Sequence, residues 1–272
     1  MRLFMVESTP QEYLFECLKG TGVKNTLMSY HYRGSTEEFY KKHLWCKSDH
    51  CILIDSGAFN AFSVGAVINK SEYLDYCKEF VRQVPNETYF FNLDVIGDQK
   101  ATWQNQEWFE ARGMVPLPVV TYGGEEKDIL RCIKNYDYWA LGGLVPYARQ
   151  KKTLEKWLDY VFTHVKRHWK ETGVMSRVHC LGVAQKWVFN RYPVFSCDAS
   201  SYNSPARYGD TYGLVPFMPK KKEVGQVGTD VLIYVIKENL RRLKETEQVA
   251  TKLWESRGIV FDKQWAKTGR PL

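Results

Sequence analysis

Short apolar runs that end on a polar residue or a glycine recur along the chain, and each is followed by a segment of helical period. The runs are NTLMSYHY (25–32), CILIDSG (51–57), ETYFFNLDV (87–95), MVPLPVVTY (114–122), YDYWALGGL (136–144), SRVHCLGV (176–183), YPVFSCDAS (192–200) and TYGLVPF (211–217). Between them, residues 70–84 place Tyr73, Cys77, Phe80 and Val81 on one stripe. Residues 150–170 place Leu154, Leu158, Val161 and Val165 on another, with Lys and Arg opposite. Both follow the i, i+3, i+4, i+7 spacing of an amphipathic helix. Asp230 to about Arg257 reads as one long terminal helix. Strand and helix signals in alternation predict a parallel sheet with helical crossovers. Eight strand runs predict an α/β fold of the (β/α)8 TIM-barrel type with a C-terminal helix. Neither an internal repeat nor a low-complexity linker interrupts residues 1–272, which read as a single domain.

Composition bounds what such a domain does. The chain has 272 residues, 44% hydrophobic and 25% charged, enough for one large core. It has no apolar run of about 18 residues, so no spanning helix and no membrane partner are expected. The opening MRLFMVESTPQEY has no long apolar stretch and does not read as a secretory signal. Cysteine occurs 7 times without a C-x-x-C pair. Cys51, Cys180 and Cys197 sit inside apolar runs, which predicts buried free thiols and a reducing, cytoplasmic setting. HLWCKSDHC (43–51) gathers His43, Cys46, His50 and Cys51. Adjacent His50 and Cys51 would point opposite ways from an extended chain, so no metal is expected there. A formal net charge of +7 favours a polyanionic partner. The 9 Trp and 17 Tyr offer ring faces on which bases could stack, although most would be core.

In barrels of this kind the chemistry sits at the C-terminal ends of the strands. Asp55, Asp94 and Asp198 close three of the runs, and Gly142, Gly143 and Gly182 follow two others. Any one aspartate alone would serve as a helix N-cap. Three together predict carboxylates converging on one mouth. Glycines there let a flat ligand approach the backbone. Two carboxylates in unlike environments suit displacement at a sugar carbon, one attacking and the other managing protons. Lys220, Lys221 and Lys222 read either as a solvated loop or as a phosphate-contacting edge.

At these residues the chain resembles the tRNA-guanine transglycosylase superfamily. Asp55-Ser56-Gly57-Ala58-Phe59-Asn60 resembles its D-S-G-G-[FY]-Q signature, and Leu141-Gly142-Gly143-Leu144 its G-G-L segment. Phe195-Ser196-Cys197-Asp198 resembles the strand end that carries its nucleophile. The chain lacks the family's C-x-C-x-x-C zinc pattern and its post-nucleophile P-T-R-type segment, so it is most similar to the zinc-free branch that acts on DNA.

That resemblance implies a pentosyltransferase that replaces guanine in DNA with a 7-deazaguanine such as preQ0, with no cofactor. Asp198 would be the nucleophile at C1′ and Asp55 the general acid/base. Asp94, Gly142, Gly143 and Leu144 would read the guanine edge and Phe59 would stack on it. Asn60 stands where the family has Gln. Arg149, Lys151, Lys152, Arg207 and Lys220 to Lys222 would hold the phosphate backbone. The implied partners are DNA, the free 7-deazaguanine base and, where the duplex must be opened, a helper protein. The implied setting is cytoplasmic, that of a host cell for a phage protein. Two readings stand beside this one: exchange in tRNA, and a non-catalytic nucleic-acid-binding partner subunit.

Overall fold

A computed structural model describes residues 1–7, 12–32, 50–84, 87–203, 229–261 and 270–271. The chain forms strands β1 (Arg2–Glu7), β2 (Asn25–Ser29), β3 (Cys51–Asp55) and β4 (Glu87–Phe90). Next come β5 (Met114–Val115), β6 (Val119–Thr121), β7 (Tyr138–Gly142), β8 (Arg177–Cys180), β9 (Ser196–Ala199) and β10 (Arg270–Pro271). The helices are α1 (Glu12–Gly20), α2 (Ala58–Ser63), α3 (Lys70–Gln83) and α4 (Gln99–Glu110). They continue with α5 (Glu126–Asn135), α6 (Lys151–Thr172), α7 (Lys186–Arg191) and α8 (Thr229–Glu255).

Eight strands make one parallel sheet in the order β4-β3-β2-β1-β9-β8-β7-β6. The sheet curls until its two edges meet at one parallel bridge, Phe91 to Leu117. There the Leu117 amide donates to the Phe90 carbonyl at 2.7 Å and the Asn92 amide to the Leu117 carbonyl at 2.9 Å. No continuous ladder closes the circle among the described residues. Leu117 lies between Pro116 and Pro118, which have no N–H to donate. The same prolines split the run 114–122, so that β5 leaves the curled sheet and pairs antiparallel with β10. The fold is therefore α/β with a curled eight-stranded parallel sheet, not the fully closed barrel expected.

Seven of the expected strand runs are found, and the eighth position is filled differently. RLFMVE at the start of the chain is β1, in the middle of the sheet between β2 and β9. The run 211–217 lies outside the described residues.

Alternation along the strands sorts side chains to two faces. Leu3 and Met5 of β1, Val178 and Cys180 of β8 and Cys197 and Ala199 of β9 pack outward under the helices. Phe4 of β1, Cys51 and Leu53 of β3, Tyr138 and Ala140 of β7 point inward. Two positions beyond Leu53 on the same strand face stands Asp55. Two beyond Ala140 stands Gly142. Helix α6 buries Leu154, Leu158, Val161 and Val165 as its spacing requires. Helix α3 buries Tyr73, Leu74, Tyr76, Cys77 and Phe80, while Val81 is 39% exposed and lies off the stripe assigned to it. All six described cysteines are buried, Cys51, Cys180 and Cys197 among them. Among the described residues no helix is long and apolar enough to cross a membrane.

Candidate functional site

The C-terminal ends of the strands enclose a cavity of about 280 Å³, lined by Glu7, Ser29, Asp55, Phe59, Asn60, Asp94, Gly143, Gly182, Asp198 and Ser200, with Val6, Leu27, Ile96, Val145 and Leu181 as apolar wall. Three aspartates scattered over almost 150 residues of sequence thus share one space, as their strand-end positions predicted.

Asp55 closes the inward face of β3. Burial raises its pKa first, followed by the charges of Asp94 and Asp198, and the Gly57 amide draws it back only in part; the result is about 7 against an ordinary 3.8. The turn behind it is tightly packed. Ser56 is fully buried and its hydroxyl accepts the Ala58 amide at 3.3 Å. Gly57 has φ +79°, and a Cβ there would lie 2.5 Å from His31 Cβ and 2.8 Å from Ser29 Oγ. Asp55 caps no helix: the N-cap of α2 is Gly57, without a side-chain bond.

Asp94 lies beyond the end of β4, not on it. Its loop is stitched to α4: the Val95 amide donates to Thr102 Oγ1 at 2.9 Å, and Asn105 Nδ2 to the Leu93 carbonyl at 2.8 Å. A true N-cap follows at Asp98, which accepts the Ala101 amide at 2.9 Å. Burial raises the Asp94 pKa to about 6. A Cβ placed on Gly142 would overlap Val119 Cγ1 at 2.7 Å, while Asp94 Oδ2 would lie at an ordinary 3.5 Å, so the glycine there makes room for Val119.

Asp198 sits on the inward face of β9, mostly buried. Its Oδ1 accepts the Gly182 amide at 2.7 Å and faces His179 Nε2 at 3.2 Å. Gly182 has φ +71°, and a Cβ there would lie 2.4 Å from Val145 Cγ2. Its amide therefore serves the protein's own carboxylate and not a ligand edge.

The remaining predicted residues divide. Phe59 lines the cavity and is 43% exposed; Asn60 lies beside it on α2. Gly143, with φ +67°, contributes backbone to the wall. Leu144 does not: it is fully buried in the outer core, where its side chain packs under the helices. Arg149, Lys151 and Lys152 are exposed on the loop and first turn after β7, the same end of the sheet as the cavity. Lys151 Nζ lies 5.5 Å above the Trp187 ring. Arg207 and Lys220 to Lys222 lie outside the described residues, as do His43 and Cys46.

Two groups of the site went unread in the sequence, one in the cavity wall and one buried behind it. Glu7 ends a strand that was not counted. His179 is an inward residue of β8, one of many polar residues in apolar runs, and only the register that sets it opposite Ser196 reveals its partner.

No protein-family model matches the chain, and no curated protein matches it. Among solved structures it is similar to a 4-hydroxy-2-oxoglutarate aldolase/2-deydro-3-deoxyphosphogluconate aldolase from TTHB1, at 11% identity over 88% of this chain and 93% of that one, with a TM-score of 0.42. A likeness so slight carries nothing about substrate or reaction. The resemblance to guanine transglycosylases is overturned, since no family model, a transglycosylase one included, matches the chain. The short motifs behind it have local causes. Gly57 is wedged against Ser29 and His31, Gly143 turns with positive φ, and Leu144 fills the core.

Proposed function

We propose that the chain is a glycosyl-transferring enzyme that exchanges a guanine-type base on a nucleic-acid sugar by double displacement, with DNA as the polymer. The reading rests on the site's chemistry and not on kinship. The observation that carries it is the inequality of two carboxylates in one cavity. Asp55 holds a proton up to about pH 7. Asp198 has its Oδ1 bonded by a backbone amide, while Oδ2 takes no hydrogen bond among the described residues. A proton-holding acid beside a carboxylate oriented by one oxygen is the pairing that retaining glycosyl transfer needs.

In the first step Asp198 Oδ2 attacks C1′. The C1′–N bond breaks, its electron pair leaves with the base, and the Asp55 proton passes to that base. An ester between Asp198 and C1′ remains. In the second step the now ionised Asp55 takes the proton from the incoming base, whose nitrogen attacks C1′ and displaces Asp198. Configuration is retained and the proton returns to Asp55, so no cofactor enters the balance.

Asp94 suits a base edge bearing two adjacent N–H donors, as guanine has, because a carboxylate accepts two such bonds side by side. Phe59, part-exposed in the cavity wall, suits stacking on that base, worth about 1–3 kcal/mol, which offsets much of what unstacking costs. Arg149, Lys151 and Lys152 at the rim and the overall charge of +7 suit a phosphate backbone.

The test is incubation of the protein with guanine-containing DNA, with tRNA and with a panel of labelled guanine and 7-deazaguanine bases, followed by nucleoside mass spectrometry. Label entering DNA supports the reading. Label entering tRNA moves the polymer, and label entering neither sinks it.

A further inference from the structure

Beneath Asp198 lies a buried polar chain that the two-step reaction does not use. Tyr138 OH of β7 is 2.6 Å from Ser196 Oγ of β9. Ser196 Oγ is 2.8 Å from His179 Nδ1 of β8, and His179 Nε2 is 3.2 Å from Asp198 Oδ1. Tyr138, His179 and Ser196 are at most 1% exposed. All three are inward positions of adjacent strands, in the interior that is otherwise filled by Phe4, Phe91 and other apolar side chains. Polar groups this deep are costly unless each bond is made.

One set of proton positions satisfies them all. Tyr138 donates to Ser196, Ser196 donates to His179 Nδ1, and His179 Nε2–H donates to Asp198 Oδ1. The alternative tautomer, with its proton on Nδ1, would point an unprotonated Nε2 at a carboxylate oxygen and repel it. A hydroxyl that must donate to Nδ1 thereby selects the useful tautomer.

We infer that His179 is a positioning residue, which together with the Gly182 amide fixes Asp198 by Oδ1 so that Oδ2 is the attacking oxygen, and that Ser196 and Tyr138 hold His179 in the tautomer that does this. The inference rests on the double-displacement reading for what Oδ2 attacks, but the hold on Oδ1 is a property of the free protein. His179 touches no substrate. Its effect is on the direction and freedom of the carboxylate.

Two measurements decide it. The first needs no substrate. Nitrogen-15 correlation spectra of the whole chain should show His179 with Nδ1 unprotonated and Nε2 protonated, and Ser196→Ala should abolish that single-tautomer pattern. A protonated Nδ1 with an unprotonated Nε2 in the unaltered protein overturns the inference. The second uses DNA exchange. Ser196→Ala and Tyr138→Phe, the mild variants, should lower kcat with KM for DNA unchanged, Ser196→Ala by about 10- to 100-fold. The amount of trapped Asp198–sugar adduct per chain should stay the same and only its rate of formation fall. A loss of adduct amount in step with rate would mean that fewer molecules are folded, and the positioning role would fall. If the unaltered protein exchanges no base at all, the proposed function fails, and the spectra alone still decide whether His179 holds Asp198.

Discussion

Asp94 faces Asp55 across one cavity, and after burial its negative charge is the strongest influence keeping a proton on Asp55 up to about pH 7. Asp94 itself is held by burial at about 6. Two such groups titrate as a pair in the range where cells live, and the range belongs to the pair more than to either residue. A site with that property has a proton to give and soon afterwards a place to receive one.

Stability should record this directly. In the unfolded chain both carboxyls titrate near 3.8, and in the folded chain near 6 and 7. Between those limits the folded state binds more protons, so stability falls as pH rises from about 4 to 7 and then levels off. Asp55→Asn should match the unaltered protein at pH 4 and exceed it at pH 8, by on the order of 4 kcal/mol. Thermal melts at the two pH values check it. An Asp55→Asn protein that melts no higher at pH 8 would show that Asp55 ionises without penalty.

Exchange should respond to the same proton. The rate should fall above about pH 7 as Asp55 loses its proton. Asp55→Asn should slow exchange by roughly 10²- to 10⁴-fold and flatten that limb. Asp198→Ala should end both exchange and the covalent DNA adduct, read on a denaturing gel. Exchange at the normal rate by Asp198→Ala would place the nucleophile elsewhere.

The packed turn behind Asp55 makes a prediction about folding. Gly57→Ala must fit a methyl where His31 Cβ would be 2.5 Å away, at φ +79°. The left-handed backbone and the overlap together should cost about 2–4 kcal/mol. Urea denaturation should show a lower midpoint with unchanged slope. A neutral Gly57→Ala would mean that the turn relaxes freely, and that Asp55 is less firmly placed than described.

Binding of the polymer should be mainly phosphate neutralisation at the rim. Log affinity for DNA should fall linearly with log salt, with a slope of roughly −2 to −5, and replacing Lys151 and Lys152 by Ala should flatten it by about 1 for each lysine. Phe59→Ala should leave that slope alone and weaken exchange by about 1–3 kcal/mol through lost stacking. A flat salt response would remove the polyanion as partner.

The alternation of strand and helix was legible because burial on both faces of a parallel sheet writes long apolar runs into the sequence. Asp55 and Asp198 were legible as polar residues at the ends of such runs. Three things were not. β1 carries Arg2 and Glu7 at its ends, so it does not stand out from the chain's opening. The G-G-L likeness sets the backbone at Leu144 against the guanine edge, but the residue packs into the core and does not line the cavity. The Tyr138–Ser196–His179–Asp198 chain depends on register between β7, β8 and β9, and register is set by tertiary pairing that no local spacing reveals. Motif likeness misled for a related reason: a glycine demanded by packing looks the same in a sequence as one demanded by a ligand.

The place of β1 in the sheet has a consequence for how the chain comes into being. The strand is made long before β9, which begins at Ser196 and pairs with one of its edges. Strand β2 can cover one side early, but the other side waits while nearly all of the intervening chain is synthesised. At about 5–20 residues per second that is roughly ten seconds or longer with an apolar edge exposed to every neighbouring nascent chain. The carboxylate Asp198 arrives on the strand that finally covers it, so completion of the sheet and completion of the site are one event. A ribosome that stalls before Ser196 would leave a chain with an open seam and no Asp198, a natural substrate for chaperones that bind unpaired strand edges.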